Sequence, residues 1–268
     1  LPIRSLWMVK GLAVKLKSYN ETIPKVFNLI KLGEELKKHK NIVIKIHLVP
    51  GQPENSTKIE FLEPIIQFCA TNKNPGSDII IAEGVNGAET RDLFDELGFT
   101  KLAEKYSLGL IDLNESSSVE IQNPEFLRFQ SIHYPELLLN SFVITATPVK
   151  PHAELGMSAS LDTMIGAFPA YKYRGFFSRT KNKLKDYPLK YQIHDILKCK
   201  MPDLAVIDAG DKGYVITGKP LDMDKQASKV LGLDWNNVPH IRLVDESFSL
   251  IKKEEGVDNL IGKLVENK

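Results

Sequence analysis

SDIIIAEGVNGAETRDLFDELGFTKLAEKYSLGLIDL, residues 77–113, decides the fold. It opens on an apolar, β-rich run, SDIIIAEG (77–84), and closes on a second, LGLIDL (108–113). Between them, residues 87–107 carry helix-forming sequence in two pieces that part at Gly98. Two strands joined by a helical crossover of this length make a parallel βαβ unit. Both runs are continuous Ile and Leu rather than alternating, as in strands covered on both faces.

The same rhythm extends outward. NIVIKIHLV (41–49) and SFVITATPV (141–149) read as strands of the same sheet, and SLWMVKGLAVKL (5–16) as an extended entry segment. ETIPKVFNLIKLGEELKKHK (21–40) has apolar residues at helical spacing and closes on Lys37, Lys38, His39 and Lys40, where the helix dipole favours cations. STKIEFLEPIIQFCATN (56–72) is a helix with a kink at Pro64. Residues 114–140 are irregular, HAELGMSASLDTMIG (152–166) starts a helix, and 167–190 form a long loop. YQIHDILKC (191–199) is a short helix, and PDLAVID (202–208) and GYVITG (213–218) flank AGDKG as a hairpin. DMDKQASKVLG (222–232) is a helix ending at Gly232, and GVDNLIGKLVENK (256–268) a terminal one. The expectation is an α/β fold: a mostly parallel sheet, helices on both faces, and antiparallel additions in the C-terminal half. It is organised as one domain over 1–268 or as two lobes of about 1–115 and 116–268.

Composition removes several function classes. The chain is 43% hydrophobic and 26% charged with a net charge of +1, so no global field points to nucleic acid or membrane. Cys69 and Cys199 are far apart and in no CxxC pair, which argues against a disulfide framework, a zinc ribbon or an iron–sulfur cluster and fits a reducing, cytoplasmic setting. No apolar run reaches membrane-spanning length, and charges interrupt the N-terminal apolar stretch, so it does not read as a signal peptide. His47, His133, His152, His194 and His240 lack HxH or HxxxH spacing, so no metal is expected; no GxSxG occurs, and Cys69 reads as core.

In open α/β sheets ligands bind beyond the carboxyl ends of the strands. Here those ends carry Lys45 and His47, then Glu83 and Gly84, Asp112 and Asn114, Lys150 and His152, and Asp208. The VKPH corner is the sharpest element, because Pro148 and Pro151 restrict the backbone around a cation and an imidazole. A helix starting after it would add free N–H groups for an anion. EGVNGAETRDLF (83–94) is a second candidate: Gly84 and Gly87 permit close backbone approach, although it is neither GxGxxG nor a Walker loop. YKYRGFFSRTKNKLKDYPLKY (171–191) holds seven Lys and Arg against one Asp, with Tyr171, Tyr173, Phe176, Phe177, Tyr187 and Tyr191 interleaved. That composition suits a lid over an anionic ligand or a stacking surface for single-stranded nucleic acid.

At these same stretches the chain resembles the DUF362 family, over roughly 10–247. NIVIKIHLV is similar to the family's VVIKPNLV, VITATPVKPHAELGMSASLDTMIGAFP to VISLPKLKTH…TGVTLALKNLFGLLP, and PDLAVIDAG to PDLAVVDGI. GKPLDMDKQASKVLGLDWNNVPHIRLVDE is similar to GRDPVAVDAVAARLMGLDPEEVPHIRLA.E. The resemblance implies an α/β architecture; some members add a ferredoxin-like cluster segment, whose cysteines this chain lacks. Lys45, Lys150, His152, Asp208 and Asp224 match family positions, and His47 replaces an asparagine. Asp162-Thr163 stands where the family shows Lys-Asn, Lys219 where it shows Asp, and the Gly-rich insertion after Asp208 is cut to AGDKG. A Lys and an Asp exchanged between close sites would keep the charge sum. A fainter likeness, in strand–Pro–His–Gly-rich–helix order, is to nickel-dependent lactate racemases.

Two functions follow as expectations. The first is an enzyme, with its cofactor left open, binding a small anionic metabolite: Lys45, Lys150, Glu83, Gly84 and Asp224 hold the ligand while His152, His47 and Asp208 do the acid–base work. The second is a non-catalytic nucleic-acid or protein-binding module that uses residues 171–191.

Overall fold

The Val and Ile runs pair as their continuity predicts. In the computed structural model, which describes residues 12–249, seven strands form one sheet. They are β1 (Leu12–Lys15), β2 (Asn41–Ile46), β3 (Asp78–Glu83), β4 (Gly109–Asp112), β7 (Phe142–Pro148), β10 (Leu204–Ala209) and β11 (Tyr214–Gly218), in the order β1-β11-β10-β7-β2-β3-β4. Short hairpins supply the remaining labels: β5 (Ser118–Ile121) with β6 (Ile132–Pro135), and β8 (Lys150–His152) with β9 (Gly156–Ser158). From β10 to β4 all neighbours are parallel; β11 and β1 add an antiparallel edge. Ile44 of β2 pairs with Ile144 of β7 on one side and Ile81 of β3 on the other, so β2 is central.

Side-chain alternation gives the sheet two cores. Ile42, Ile44 and Ile46 face α1 (Tyr19–Leu29), α2 (Leu32–Leu36) and α3 (Ile59–Asn72), packing with Phe27, Phe61 and Ile65. Val43 faces the C-terminal half, with Met157, Phe168, Ile196 and Met223. That layer holds α8 (Leu189–Cys199), α9 (Pro220–Val230) and a helix over residues 239–249. On the first side α4 (Thr90–Glu96) and α5 (Phe99–Tyr106) complete the β3–β4 crossover, with Gly98 at φ +85° between them.

The order of connection creates a crevice. The chain steps outward from β2 to β3 and β4, then returns to the opposite side of β2 as β7 and continues outward to β10. Connections therefore diverge between β2 and β7, and loops from the two strands leave a gap at their carboxyl ends.

Several segments differ from their sequence reading. Residues 21–40 form two helices, not one: Lys31 takes φ 56° between them and turns Leu32 and Leu36 back into the core. Residues 114–140 contain the β5–β6 hairpin and α6 (Glu136–Leu139). The long loop holds α7 (Ala170–Tyr173) and a 3-10 turn at Asn182–Leu184. The helix expected from 152 is absent: β8 turns through Gly156, at φ +80°, into β9, and a 3-10 stretch follows at Asp162–Ala167. The cause is competition for backbone donors. His152 Nδ1 accepts from the N–H groups of Glu154 and Leu155, Asp162 from Ala159, and Asp224 from Ser160 and Leu161. No free helix N-terminus is left there for an anion. The AGDKG hairpin forms as expected through Gly213 at φ +79°, and α9 begins earlier than read, with Pro220 at its first position. The start of the 5–16 entry segment and the helix expected at 256–268 lie outside the described residues.

Candidate functional site

Thr57 holds the mouth of the crevice in place. His47, just past β2, donates its N–H to Thr57 Oγ1, while its carbonyl accepts from Thr57 N–H. The Thr57 hydroxyl donates onward to Ala146 O of β7, bridging the two diverging strands. On the β7 side, Val149 N–H bonds Asp208 O of β10, and the chain then enters the Lys150–His152 strand.

Lys45 and His47 are two residues apart and fall on the same side of the sheet, beneath the C-terminal layer. Lys45 is fully buried, and its Nζ donates to Glu83 Oε1 at 2.5 Å and to the carbonyls of Ile46 and Thr163 at 3.0 Å each. An ammonium has three N–H donors, so Lys45 has none left for a ligand. Glu83 Oε1 also accepts from Gly84 N–H at 2.7 Å. Two glycines let backbone close over this pair. A Cβ on Gly166 would stand 2.2 Å from Glu83 Oε1, and one on Gly84 would stand 2.3 Å from Gly166 O.

Above this floor is a cleft of about 510 Å³ lined by His47, Lys150, His152, Asp162, Thr163 and Lys181, with Glu83, Gly84 and Asn86 in its wall. Lys150 Nζ donates to Asn55 O. Lys181 Nζ donates to Gly84 O at 2.8 Å and Gly166 O at 3.3 Å, and Lys181 N–H to Asn86 Oδ1 at 2.8 Å. Asp162 is buried with both oxygens engaged, by Ser158 Oγ and Ala159 N–H.

The hydrogen-bond network assigns the tautomers of the two imidazoles. His152 Nδ1 accepts two N–H groups, so its hydrogen sits on Nε2 and it is a donor at that atom. The Thr163 hydroxyl donates to Ile46 O and is left to accept from His47 Nδ1 at 3.3 Å, so the His47 lone pair is on Nε2. Burial, then the positive charges of Lys150 and Lys45, hold His47 well below the ordinary imidazole value, neutral at pH 7. Burial lowers Lys150 to about 8 and Lys181 to about 7, and raises the Asp162 carboxyl.

The structure thus gathers His47, Lys150 and His152 in one cleft, places Glu83 and Gly84 in its wall, and seats Lys45 beneath it. Asp208 is elsewhere: it accepts from Tyr19 Oη and Gly210 N–H and lines a neighbouring hollow of about 430 Å³, with Lys150 bordering both. Asp224 is buried at the Ser160 and Leu161 amides and does not line the cleft. Lys219 is exposed at the start of α9, next to Gly218, which pairs with Ala205 near the amino end of β10, whereas Asp162 borders the cleft at the carboxyl ends. The exchanged Lys and Asp are therefore at opposite ends of the sheet, and the charge sum is not kept locally. Lys181, Asp162, Thr163 and Asn86 complete the cleft without having been named individually as site residues. Asn86 lies in the 83–94 candidate stretch, Lys181 in the segment read as a lid, and Asp162-Thr163 stood out as a departure from the family pattern.

The basic aromatic segment does not present its rings together. Tyr173 is buried, with its oxygen accepting from His133 N–H; Tyr187 stacks on Phe129 at 4.5 Å; Tyr171 bonds Ser118. Phe176 and Phe177 alone of the six are almost wholly exposed, in edge contact with each other.

Among the described residues, no group of three or more His, Cys, Asp or Glu is arranged to hold a metal ion, and no helix is long and apolar enough to cross a membrane. Cys69 is buried within α3, where desolvation pushes its thiol up to about 12. No curated protein matches the chain in sequence. The family model described as a domain of unknown function, DUF362, matches residues 42–229, from β2 through almost all of α9 and so across every residue of the cleft. That is well over half of the sequence, and the chain belongs to the DUF362 family.

Proposed function

We propose that the cleft between β2 and β7 binds a small anionic metabolite and that the protein is an enzyme acting on it. One observation carries the reading: at the point where the sheet's connections diverge, Lys150 and Lys181, in their protonated forms, present N–H donors without partners among the described residues. The carboxylates beside them are engaged, Glu83 by Lys45 and Asp162 by Ser158 and Ala159. His152 adds an Nε2–H donor for the ligand, and His47 Nε2 is the proton acceptor. His47 becomes a stronger base as a bound anion offsets its cationic neighbours.

The test is the melting temperature in increasing inorganic phosphate or succinate. A ligand held only by the folded state raises it in proportion to ln(1 + [L]/Kd). Lys150→Ala is expected to remove the rise. The alternative reading, a nucleic-acid module over residues 171–191, has less support, because a stacking platform needs successive rings on one face, and here Tyr173 is buried, Tyr187 stacks on Phe129 and of the six only Phe176 and Phe177 are almost wholly exposed.

A further inference from the structure

Lys181 differs from every other cation of its segment. The remaining Lys and Arg of the 171–185 stretch are exposed or half-exposed, whereas Lys181 is 3% exposed. Buried ammonium groups are ordinarily paired with a carboxylate. Among the described residues Lys181 has none: its Nζ bonds only the carbonyl oxygens of Gly84 and Gly166, and the nearby Glu83 is bonded to Lys45. The cleft that it lines also has the apolar residues Val85, Leu155, Ile165 and Leu189 in its wall.

We propose that Lys181 Nζ captures the carbonyl carbon of an oxo acid as a reversible imine, with the acid's carboxylate held by Lys150. The inference rests on the cleft being an anion site and names the substrate class. A neutral amine has two N–H donors and one lone pair. Both donors here have a carbonyl acceptor, so the lone pair occupies the remaining direction at the nitrogen. That lone pair adds to the carbonyl carbon, and the C=O π pair moves to oxygen, which takes a proton. The nitrogen gives up one proton to leave a neutral carbinolamine, which then loses its hydroxyl, with a second proton, as water while the nitrogen releases its remaining proton and closes the C=N bond. The balance is amine plus carbonyl to imine plus water, with no oxidant or reductant. His152, with its hydrogen on Nε2, is the donor available to the carbonyl oxygen. Desolvation outweighs the opposing charge of Glu83 and lowers Lys181 to about 7, so a large share of the amine is unprotonated near neutral pH.

The test treats the full chain with pyruvate and sodium borohydride, which reduces an imine to a stable secondary amine, followed by intact mass and peptide mapping. Succinate, which has no carbonyl, is titrated in parallel by calorimetry. The expected result is one adduct per chain, at Lys181 in at least tenfold preference to any other lysine, and its loss in Lys181→Arg. The mapping in the unaltered chain decides the matter even if that variant fails to fold. Adducts spread over exposed lysines, or none while succinate still binds, would overturn the imine and leave the anion site standing. Absence of binding by both compounds would overturn the anion site and the imine with it.

Discussion

Lys45 Nζ lies 2.5 Å from Glu83 Oε1, and the two buried side chains form an ion pair under the cleft floor. The pair joins the carboxyl ends of adjacent strands and lies beneath the 3-10 stretch at Asp162–Ala167. Removing one partner strands a buried charge, which costs about 3–5 kcal/mol. Lys45→Met is expected to destabilise the fold by that order in urea unfolding, and Lys45→Met with Glu83→Gln to recover most of it. An additive double variant would show that the pair is not coupled.

Gly84 sits where backbone meets backbone. Its Cβ would collide with Gly166 O at 2.3 Å, whereas a Cβ on Gly76 would find its nearest neighbour at 3.9 Å. Gly84→Ala is expected to lose about 1–3 kcal/mol, the usual range for overpacking. Gly76→Ala should change stability by less than about 1 kcal/mol. Equal effects in thermal unfolding would contradict the close approach.

Asp224 holds two backbone N–H groups of the Ser160–Leu161 turn, and Asp224→Ala leaves both unsatisfied, a loss of about 2–4 kcal/mol. Burial pushes its carboxyl up to about 8, against an unfolded value near 4. The folded chain therefore binds more protons across that window. The stabilisation is complete below pH 4 and is lost as pH rises through 8. The gap between wild type and Asp224→Ala should narrow from pH 5 to 9; a widening gap would contradict the assignment.

The sheet is legible in the sequence because 42–44 (IVI) and 79–81 (III) are unbroken β-branched cores of short apolar runs, the pattern of strands covered on both faces. Lys45 is legible as a strand-end residue, but its role is not. Nothing local announces that Glu83 and the Thr163 carbonyl, together with the Ile46 carbonyl, will use all its donors. The turn after His152 misleads for the same reason: GMSASLD passes for the start of a helix, and only Asp224, distant in sequence, shows that the Ser160 and Leu161 amides are taken. Lys181 is hidden in a run of like residues, because burial of one lysine among many depends on which backbone carbonyls approach it. His47, Lys150 and His152 are legible together because strand alternation and the doubly-wound topology send them to one crevice.

Anion binding should take up protons. Burial holds down Lys150 at about 8, Lys181 at about 7 and His47 well below its usual value. A bound anion favours the charged form of each, so their values rise on binding and affinity increases as pH falls. Calorimetry at pH 7.5 in two buffers of different ionisation enthalpy is expected to register net proton uptake. Net release would reverse the sign and contradict the account.

The most direct test of the cleft is the calorimetric Kd of succinate for the wild type, Lys150→Ala, and a Lys183→Ala, Lys185→Ala control in which only exposed cations are removed. The account predicts binding by the wild type and the control and a loss of tenfold or more in Lys150→Ala, about 1.4 kcal/mol. Equal affinity in all three, or a loss only in the surface control, would contradict it.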